Sequence, residues 1–493
     1  MLIIVNSTLT TGMRLKQLLH HGLIFGLTSS LQSAFGFVLL PLYTRYLDLE
    51  EFGAYNMLLI IAASCNTLFG LGASTALGRY YYEYKKNNKE KDITSSSLWI
   101  SCLGSILLIL LAFLTAHPVS VYYLGDSELQ LPYILCLAGN ALTYPLTTLT
   151  LLLRYKKKSL FYFFVTISGL LLNFGCTLML LINSDIKICA PFVGMIVSNI
   201  LLLIILIIYQ RKELKFCVPR KEYRLVVVFG LQIILSAFLS YIYECSDKII
   251  MKEILSISDV GIYSLSGRIG TVFKMLVYVP FALIWAPLRM EYKDSPDNVQ
   301  FIRKITNYYT LLGILLLLGC MVWGYDILKL LFPQEEYALA LKIFPLSMLG
   351  FFFYGYLSIF DFGVFINNKL YYLSIIPVFC LLVNTSLNIW LLPIYGVEAS
   401  AYIFVLTYVL SAFILLFFSN RFYPIPMDWS RLCGMYVLWI FVFLCFFVVE
   451  VPLTHTLWMK VMISFVIVLL TWYVFLTENE RKVIVIKVNS FRK

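Results

Sequence analysis

Charge is what this 493-residue chain most lacks: Asp, Glu, Lys and Arg make up 13% of it, where a soluble protein averages about 25%. That shortage excludes a soluble reading of the whole chain. Histidine is scarcer, with His20, His21, His117 and His455 dispersed at the ends of apolar stretches. With no H-E-x-x-H and no His/Cys cluster, a metal site is not expected. No G-x-x-x-x-G-K-[ST] run occurs, so no ATP-hydrolysing motor of that kind is expected. The eleven cysteines include no C-x-x-C pair, and Cys65, Cys102, Cys136, Cys176, Cys320, Cys380 and Cys445 lie in apolar runs. They read as small core residues, not a disulfide framework.

What is present is apolar: 60% of the residues are hydrophobic, enough for fourteen spans of ~20 residues, the length that crosses a ~30 Å hydrocarbon core. Apolar stretches bounded by charge or turn residues place spans near 22–44, 54–77, 97–116, 131–153, 159–182, 188–209, 225–246, 260–286, 307–324, 343–366, 371–393, 397–418, 433–450 and 457–476. The spans near 225–246 and 260–286 carry charges, which leaves a twelve-span alternative open. The expected fold class is an all-α integral membrane protein. The N-terminal MLIIVNSTLTTGMRLKQLLHHG has no small-residue cleavage site after its first apolar run, so no removed signal peptide is expected. Residues 1–12 read as a tail, or as lying upstream of a start at Met13.

The net charge of +11 needs no nucleic acid, because basic residues at span ends set membrane orientation. With the N-terminus inside, 29 Lys/Arg fall on the inner side and seven outside: Arg45, Lys187, Lys248, Lys252, Lys329, Lys342 and Lys460. This bias puts both termini in the cytoplasm. Tyr80, Tyr81, Tyr82, Tyr371 and Tyr372 at span ends read as interfacial anchors. No outer connection exceeds about 18 residues, too little for an outer domain with a catalytic site.

The segment from Leu47 to Tyr55 (LDLEEFGAY) reappears from Leu255 to Tyr263 (LSISDVGIY) at an offset of 208, and Asn173 matches Asn384 at 211. Six spans per copy is an even number, so two such repeats insert with the same orientation. The expected organisation is a tail at 1–12, a first six-helix repeat at 13–215, a second at 216–427, and two extra helices with a cytoplasmic tail at 428–493. Gly53 and Gly261 are expected to allow turns into the helices that follow. Such 6+6 bundles are transporter architecture, with substrate paths between repeats near the midplane.

A charge held at helix centre costs from ~2.5 kcal/mol upward, so it generally faces a bundle interior or an aqueous cavity. Span eight has two. At 100° per residue from Ser264, the positions Gly267, Arg268, Thr271, Lys274 and Tyr278 share an arc of about 120°, with Leu265, Ile269, Phe273, Leu276 and Val277 opposite. Two cations facing a cavity suit an anionic, phosphate-bearing substrate; snorkelling or structural pairing is the alternative. Arg268, Thr271, Lys274 and Tyr278 are the candidate substrate-binding residues, with Asn66 the first-half counterpart of Lys274. Asp361 in span ten is placed roughly one helical turn deeper than Lys274, near enough to pair with it, either structurally or as a protonation switch. Asp361, Glu244, Asp247, Lys248 and Arg45 form the candidate coupling or gating set.

The runs R45-YLDLEEFGAY, G70-LGASTALGRYY, D247-KIIMKEILSISDVGIYS and Y395-GVEASA resemble the repeat-unit flippases of the polysaccharide transporter branch. That branch, which includes O-antigen and capsule translocases, belongs to the multidrug, oligosaccharidyl-lipid and polysaccharide exporter superfamily. The resemblance runs from about Met13 to the last span; Ala399 and Ser400 stand where the family often has Gly and Ala. It implies a fourteen-helix, V-shaped, two-lobed flippase of the bacterial inner membrane. Such a protein moves an undecaprenyl-pyrophosphate-linked oligosaccharide by alternating access through a cation-lined cavity. It is not an enzyme and holds no cofactor, with coupling to a proton or sodium gradient left open. Its expected partners are the lipid-linked oligosaccharide, membrane lipid, a polysaccharide polymerase and a chain-length regulator, and no nucleic acid. The rival readings are a membrane glycosyl polymerase or ligase, a drug or cation exporter of the same superfamily, and a peptidoglycan-precursor flippase.

Overall fold

A computed structural model describes residues 24–481, with 27, 29–30, 33–34, 184–186, 217–218, 292–297, 368, 370, 426, 449–455, 477 and 479–480 excepted. The described residues form helices joined by short turns, with no β-strand among them. In hydrocarbon every backbone N–H and C=O must find its partner inside the segment, and a helix does this. In chain order the helices are α1 (35–46), α2 (Leu49–Phe69), α3 (Ala73–Lys86), α4 (Glu90–Pro118), α5 (Gln130–Ala141), α6 (Thr143–Tyr155), α7 (Ser159–Asn183), α8 (Ala190–Gln210) and α9 (Arg220–Ile254). There follow α10 (Ile257–Phe273), α11 (Val279–Glu291), α12 (Asn298–Leu331), α13 (Ala338–Phe360), α14 (Phe362–Ile366), α15 (Tyr372–Tyr395), α16 (Val397–Phe422), α17 (Trp429–Phe443) and α18 (Leu457–Leu470).

Among the described residues eleven helical segments are long and apolar enough to cross a membrane, and Leu457–Tyr473 is a shorter apolar one. Together they fall on twelve of the fourteen expected spans. The span expected at 22–44 lies partly outside the described residues, which show helix at 35–46. The one expected at 260–286 falls on a continuous helix over 257–291, which includes Arg268, Lys274 and Arg289. By its contacts the chain divides into two compact units, Met1–Lys252 with Ser256–Gly261, and Glu253–Leu255 with Ile262–Lys493.

In the first unit, α2 starts at a capping box: the Glu51 amide donates to the Asp48 side chain at 2.7 Å, and the Asp48 amide donates to the Glu51 side chain at 3.0 Å. The span expected over 54–77 is not continuous. It breaks after Phe69 because Leu71 and Gly72 take positive φ, 48° and 58°, which no helix accommodates. Gly72 also meets α9 so closely that a Cβ there would lie 2.6 Å from the Gly230 Cα.

Gly53 and Gly261 are not turn residues. Each is the fifth residue of its helix, α2 or α10, and the two helices cross at them. A Cβ on Gly53 would lie 2.0 Å from the Ile257 carbonyl oxygen, and one on Gly261 would lie 2.9 Å from that of Leu49. Leu49 and Ile257 are themselves matching positions of the repeated segment, so each copy presses its glycine on the same position of the other. Small residues at a membrane crossing let backbones approach.

The hairpins α7–α8 and α15–α16 are closely packed pairs, and each has a polar rung at the matched asparagine. In the first, Thr177 donates to Asn173 at 3.2 Å. In the second, Asn388 donates to Asn384 at 3.0 Å and accepts from Ser400 at 2.6 Å, all three buried. The tyrosine anchors are corrected in part. Tyr82 and Tyr371 are exposed, but Tyr81 is buried and stacks on Tyr155 with ring centroids 4.7 Å apart. The ten cysteines among the described residues are free thiols.

In the second unit α13 is the central helix, packed on α12 and α16. The last two helices, α17 and α18, are fastened to α12 by polar contacts: Arg303 to Asp428 at 3.0 Å, Trp323 to Ser464 at 3.0 Å, and an ion pair between Lys460 and Asp326.

Candidate functional site

The polar stripe expected on span eight lies on α10 and the wide π-turn Lys274–Tyr278 that joins it to α11. Single π-turns inside long helices are rare and recur at functional sites. Arg268, Thr271, Lys274 and Tyr278 are half-buried, whereas Leu265, Ile269, Phe273 and Val277 are buried. Leu276 departs from the expected face and is 60% exposed, as a π-turn that re-aims the side chains within it would produce.

Why this stripe meets α13 follows from small residues above it. Gly270 sits so near Ser347 that a Cβ would be 2.8 Å from the serine Cβ, and Ser266 shares a 2.7 Å hydrogen bond with Ser347. Below that contact the two elements run side by side. Lys274 Nζ lies 4.6 Å from the Tyr354 ring centroid and 5.6 Å from that of Phe351. The Tyr278 and Ser358 hydroxyls are 3.1 Å apart, and the Tyr278 and Tyr354 rings meet edge to face at 5.0 Å. Further along, Arg289 donates to both Asp361 oxygens at 3.1 Å and stacks over Phe365 at 4.2 Å.

These contacts correct one expectation. Asp361 pairs with Arg289 and not with Lys274, because Lys274 is level with Tyr354, seven residues and roughly 10 Å of helix before Asp361. Among the described residues no carboxylate pairs with Lys274; its charge rests against two aromatic faces, a contact worth about 0.5–2 kcal/mol. The Arg289–Asp361 pair is by contrast closed and mostly buried, at 18% and 16% side-chain exposure.

The structure thus gathers Arg268, Thr271, Lys274, Tyr278 and Asp361 along one seam of the second unit. The other candidates lie in the first unit. Asn66 donates to Asn140 at 3.0 Å and accepts from Tyr144 at 2.9 Å. Glu244 and Arg45 are exposed, and Asp247 is buried with its carboxylate accepting from the Lys248 amide at 2.8 Å. Three seam residues were missed by sequence reasoning. Tyr354 and Ser358 are spaced with Asp361 at i, i+4 and i+7, a helical stripe visible once that carboxylate is taken as its end. Arg289 lies beyond the span expected at 260–286, on the inner side.

The polysaccharide biosynthesis protein family matches residues 18–292, more than half of the chain. The chain belongs to that family. The matched stretch includes Arg268, Thr271, Lys274, Tyr278 and Arg289, while the α13 side of the seam lies beyond it. No curated protein matches. Among solved structures, the chain is similar to the lipid II flippase MurJ in an inward closed conformation, at 15% identity and a TM-score of 0.72 over 91% of this chain and 97% of that one. It is also similar to an inward-facing multidrug resistance transporter, at 12% identity and a TM-score of 0.63 over 82% and 96%. A MOP superfamily transporter from Pyrococcus furiosus matches at 11% identity and a TM-score of 0.59, over 85% of this chain and 96% of that one. At such identities the likeness is one of fold: an all-helical, multi-pass membrane protein.

Proposed function

We propose that this chain is a flippase that carries an undecaprenyl-pyrophosphate-linked oligosaccharide, an O-antigen or capsule repeat unit, across a bacterial inner membrane from the cytoplasmic to the periplasmic leaflet. The observation that carries this reading is Lys274, a cation within the continuous helix over 257–291 where a span is expected, held by ring faces and, among the described residues, paired with no carboxylate. Keeping such a charge in the membrane costs about 2.5–3.5 kcal/mol, and a pyrophosphate entering beside it supplies the counter-charge. Arg268, on the same face and nearer the outer end, gives the headgroup a second basic group, and Thr271 and Tyr278 add hydroxyls. Polyprenyl chain stays in lipid while the headgroup passes through the alternately exposed site. No bond is made or broken in this process.

The two six-helix repeats, 13–215 and 216–427, are proposed as the alternating elements, with both termini cytoplasmic. A polymerase and a chain-length regulator are proposed to act on the delivered units. A cation exporter would be expected to use an anionic residue within its spans, and Asp361, the carboxylate of span ten, is occupied on both oxygens by Arg289. Depleting the chain in its host tests the proposal: surface polysaccharide should fall and lipid-linked units should accumulate. Normal polysaccharide with altered sensitivity to cationic drugs would favour the exporter, and arrested cell-wall synthesis the peptidoglycan-precursor reading.

A further inference from the structure

A second polar site lies in the same unit, away from the seam. It is a cavity of about 340 Å³ lined by Val322, Tyr325, Leu339, Lys342, Glu398, Phe446, Phe447 and Lys460, among others. That size falls within the ~300–1,000 Å³ of small-molecule sites. Its walls come from helix ends: the last turns of α12, the first turns of α13, α16 and α18, and the π-turn that follows α17. By the Lys/Arg count this is the outer end of the bundle. Trp458, 84% exposed at the start of α18, marks the headgroup level, where exposed tryptophans anchor membrane helices.

The lining is amphiphilic in the manner of a lipid. Phe446, Phe447, Val322 and Leu339 form an apolar side. The charged lining is Lys342, Lys460 and Glu398; Lys460 is paired with Asp326, a half-exposed residue outside the lining, so the lining presents Lys342 and Glu398 as its charges of opposite sign. Lys460 itself is almost wholly buried, at 1% exposure. Burying an ammonium is tolerated only where anionic groups compensate it, as Asp326 does for Lys460, which fixes one wall of the cavity in place. A purely anionic headgroup would meet the Glu398 carboxylate here, and a cationic one the Lys342 ammonium. We infer that the cavity binds the headgroup of a zwitterionic phospholipid with a primary ammonium, phosphate toward Lys342 and ammonium toward Glu398, with the acyl chains against Phe446 and Phe447. Primary ammonium is specified because it donates charge-assisted hydrogen bonds to carboxylates, which a quaternary ammonium lacks.

The test uses the purified full chain and native mass spectrometry, titrating phosphatidylethanolamine, phosphatidylcholine and phosphatidylglycerol separately. Phosphatidylethanolamine should be retained at least about tenfold more tightly than the other two, a difference of about 1.4 kcal/mol. Glu398→Gln and Lys342→Ala should each abolish that preference. Equal retention of the ethanolamine and choline lipids by the unmodified chain, or preference for phosphatidylglycerol, overturns the inference without recourse to any variant. So does binding of soluble phosphoethanolamine as tight as that of the lipid, which would make the cavity a site for a water-soluble ligand. None of these readouts depends on what the chain transports.

Discussion

Lys274 and Asp361 show how far a residue's meaning depends on its neighbours. Both are charges within long apolar segments, and helical spacing alone allowed them to be partners. Asp361 instead closes on Arg289, while Lys274 lies between Phe351 and Tyr354. The stripe carrying Lys274 was legible because Arg268, Thr271, Lys274 and Tyr278 recur at intervals of three and four. Its aromatic wall was not, since span ten has phenylalanine or tyrosine at Phe351, Phe352, Phe353, Tyr354 and Tyr356, and sequence does not say which ring turns toward the lysine. A prediction belongs at this scale. Lys274→Met keeps the aliphatic stem and removes the charge, so the fold should be unchanged or stabilised, by up to the ~2.5–3.5 kcal/mol that a membrane charge costs. Transport should fall at least about tenfold, equivalent to ~1.4 kcal/mol of transition-state stabilisation. Thermal unfolding in detergent and a flux assay measure the two effects. A loss of stability that tracks the loss of flux would reduce Lys274 to a packing residue.

At the scale of elements, the positions of helices were largely legible and their interruptions were not. Most spans could be placed to within several residues because charge and turn residues bound them, as at Glu90–Leu124 and Val397–Phe422. The break at Leu71–Gly72 is hidden in an apolar run, and the π-turn at Lys274 depends on packing against α13. Gly53 was noticed for the right pattern and given the wrong cause: it permits a crossing, not a turn. In an exposed helix Gly→Ala stabilises by about 1 kcal/mol. Here Gly53→Ala should destabilise by about 1–3 kcal/mol, the usual cost of overpacking, since its new methyl would meet the Ile257 carbonyl at 2.0 Å. Gly175→Ala, where nothing lies within 4 Å, is the matched control and should be neutral or stabilising. Thermal melting of both variants decides it; a Gly53→Ala protein more stable than the parent would remove the crossing as the reason for this glycine.

For the whole molecule, the shortage of charge and the abundance of apolar runs were enough to indicate an all-helical membrane protein, and membership of the polysaccharide biosynthesis family narrows the chemistry around it. The central claim is that the half-buried cations of α10 and its π-turn receive a pyrophosphate headgroup during translocation. It is tested most directly by reconstituting the chain in liposomes with an undecaprenyl-pyrophosphate-linked oligosaccharide and measuring how much labelled lipid reaches the opposite leaflet. Arg268→Ala is compared at equal incorporation. The account predicts protein-dependent translocation that the variant lacks. Translocation at the parental rate in Arg268→Ala, with the variant equally inserted, would contradict it.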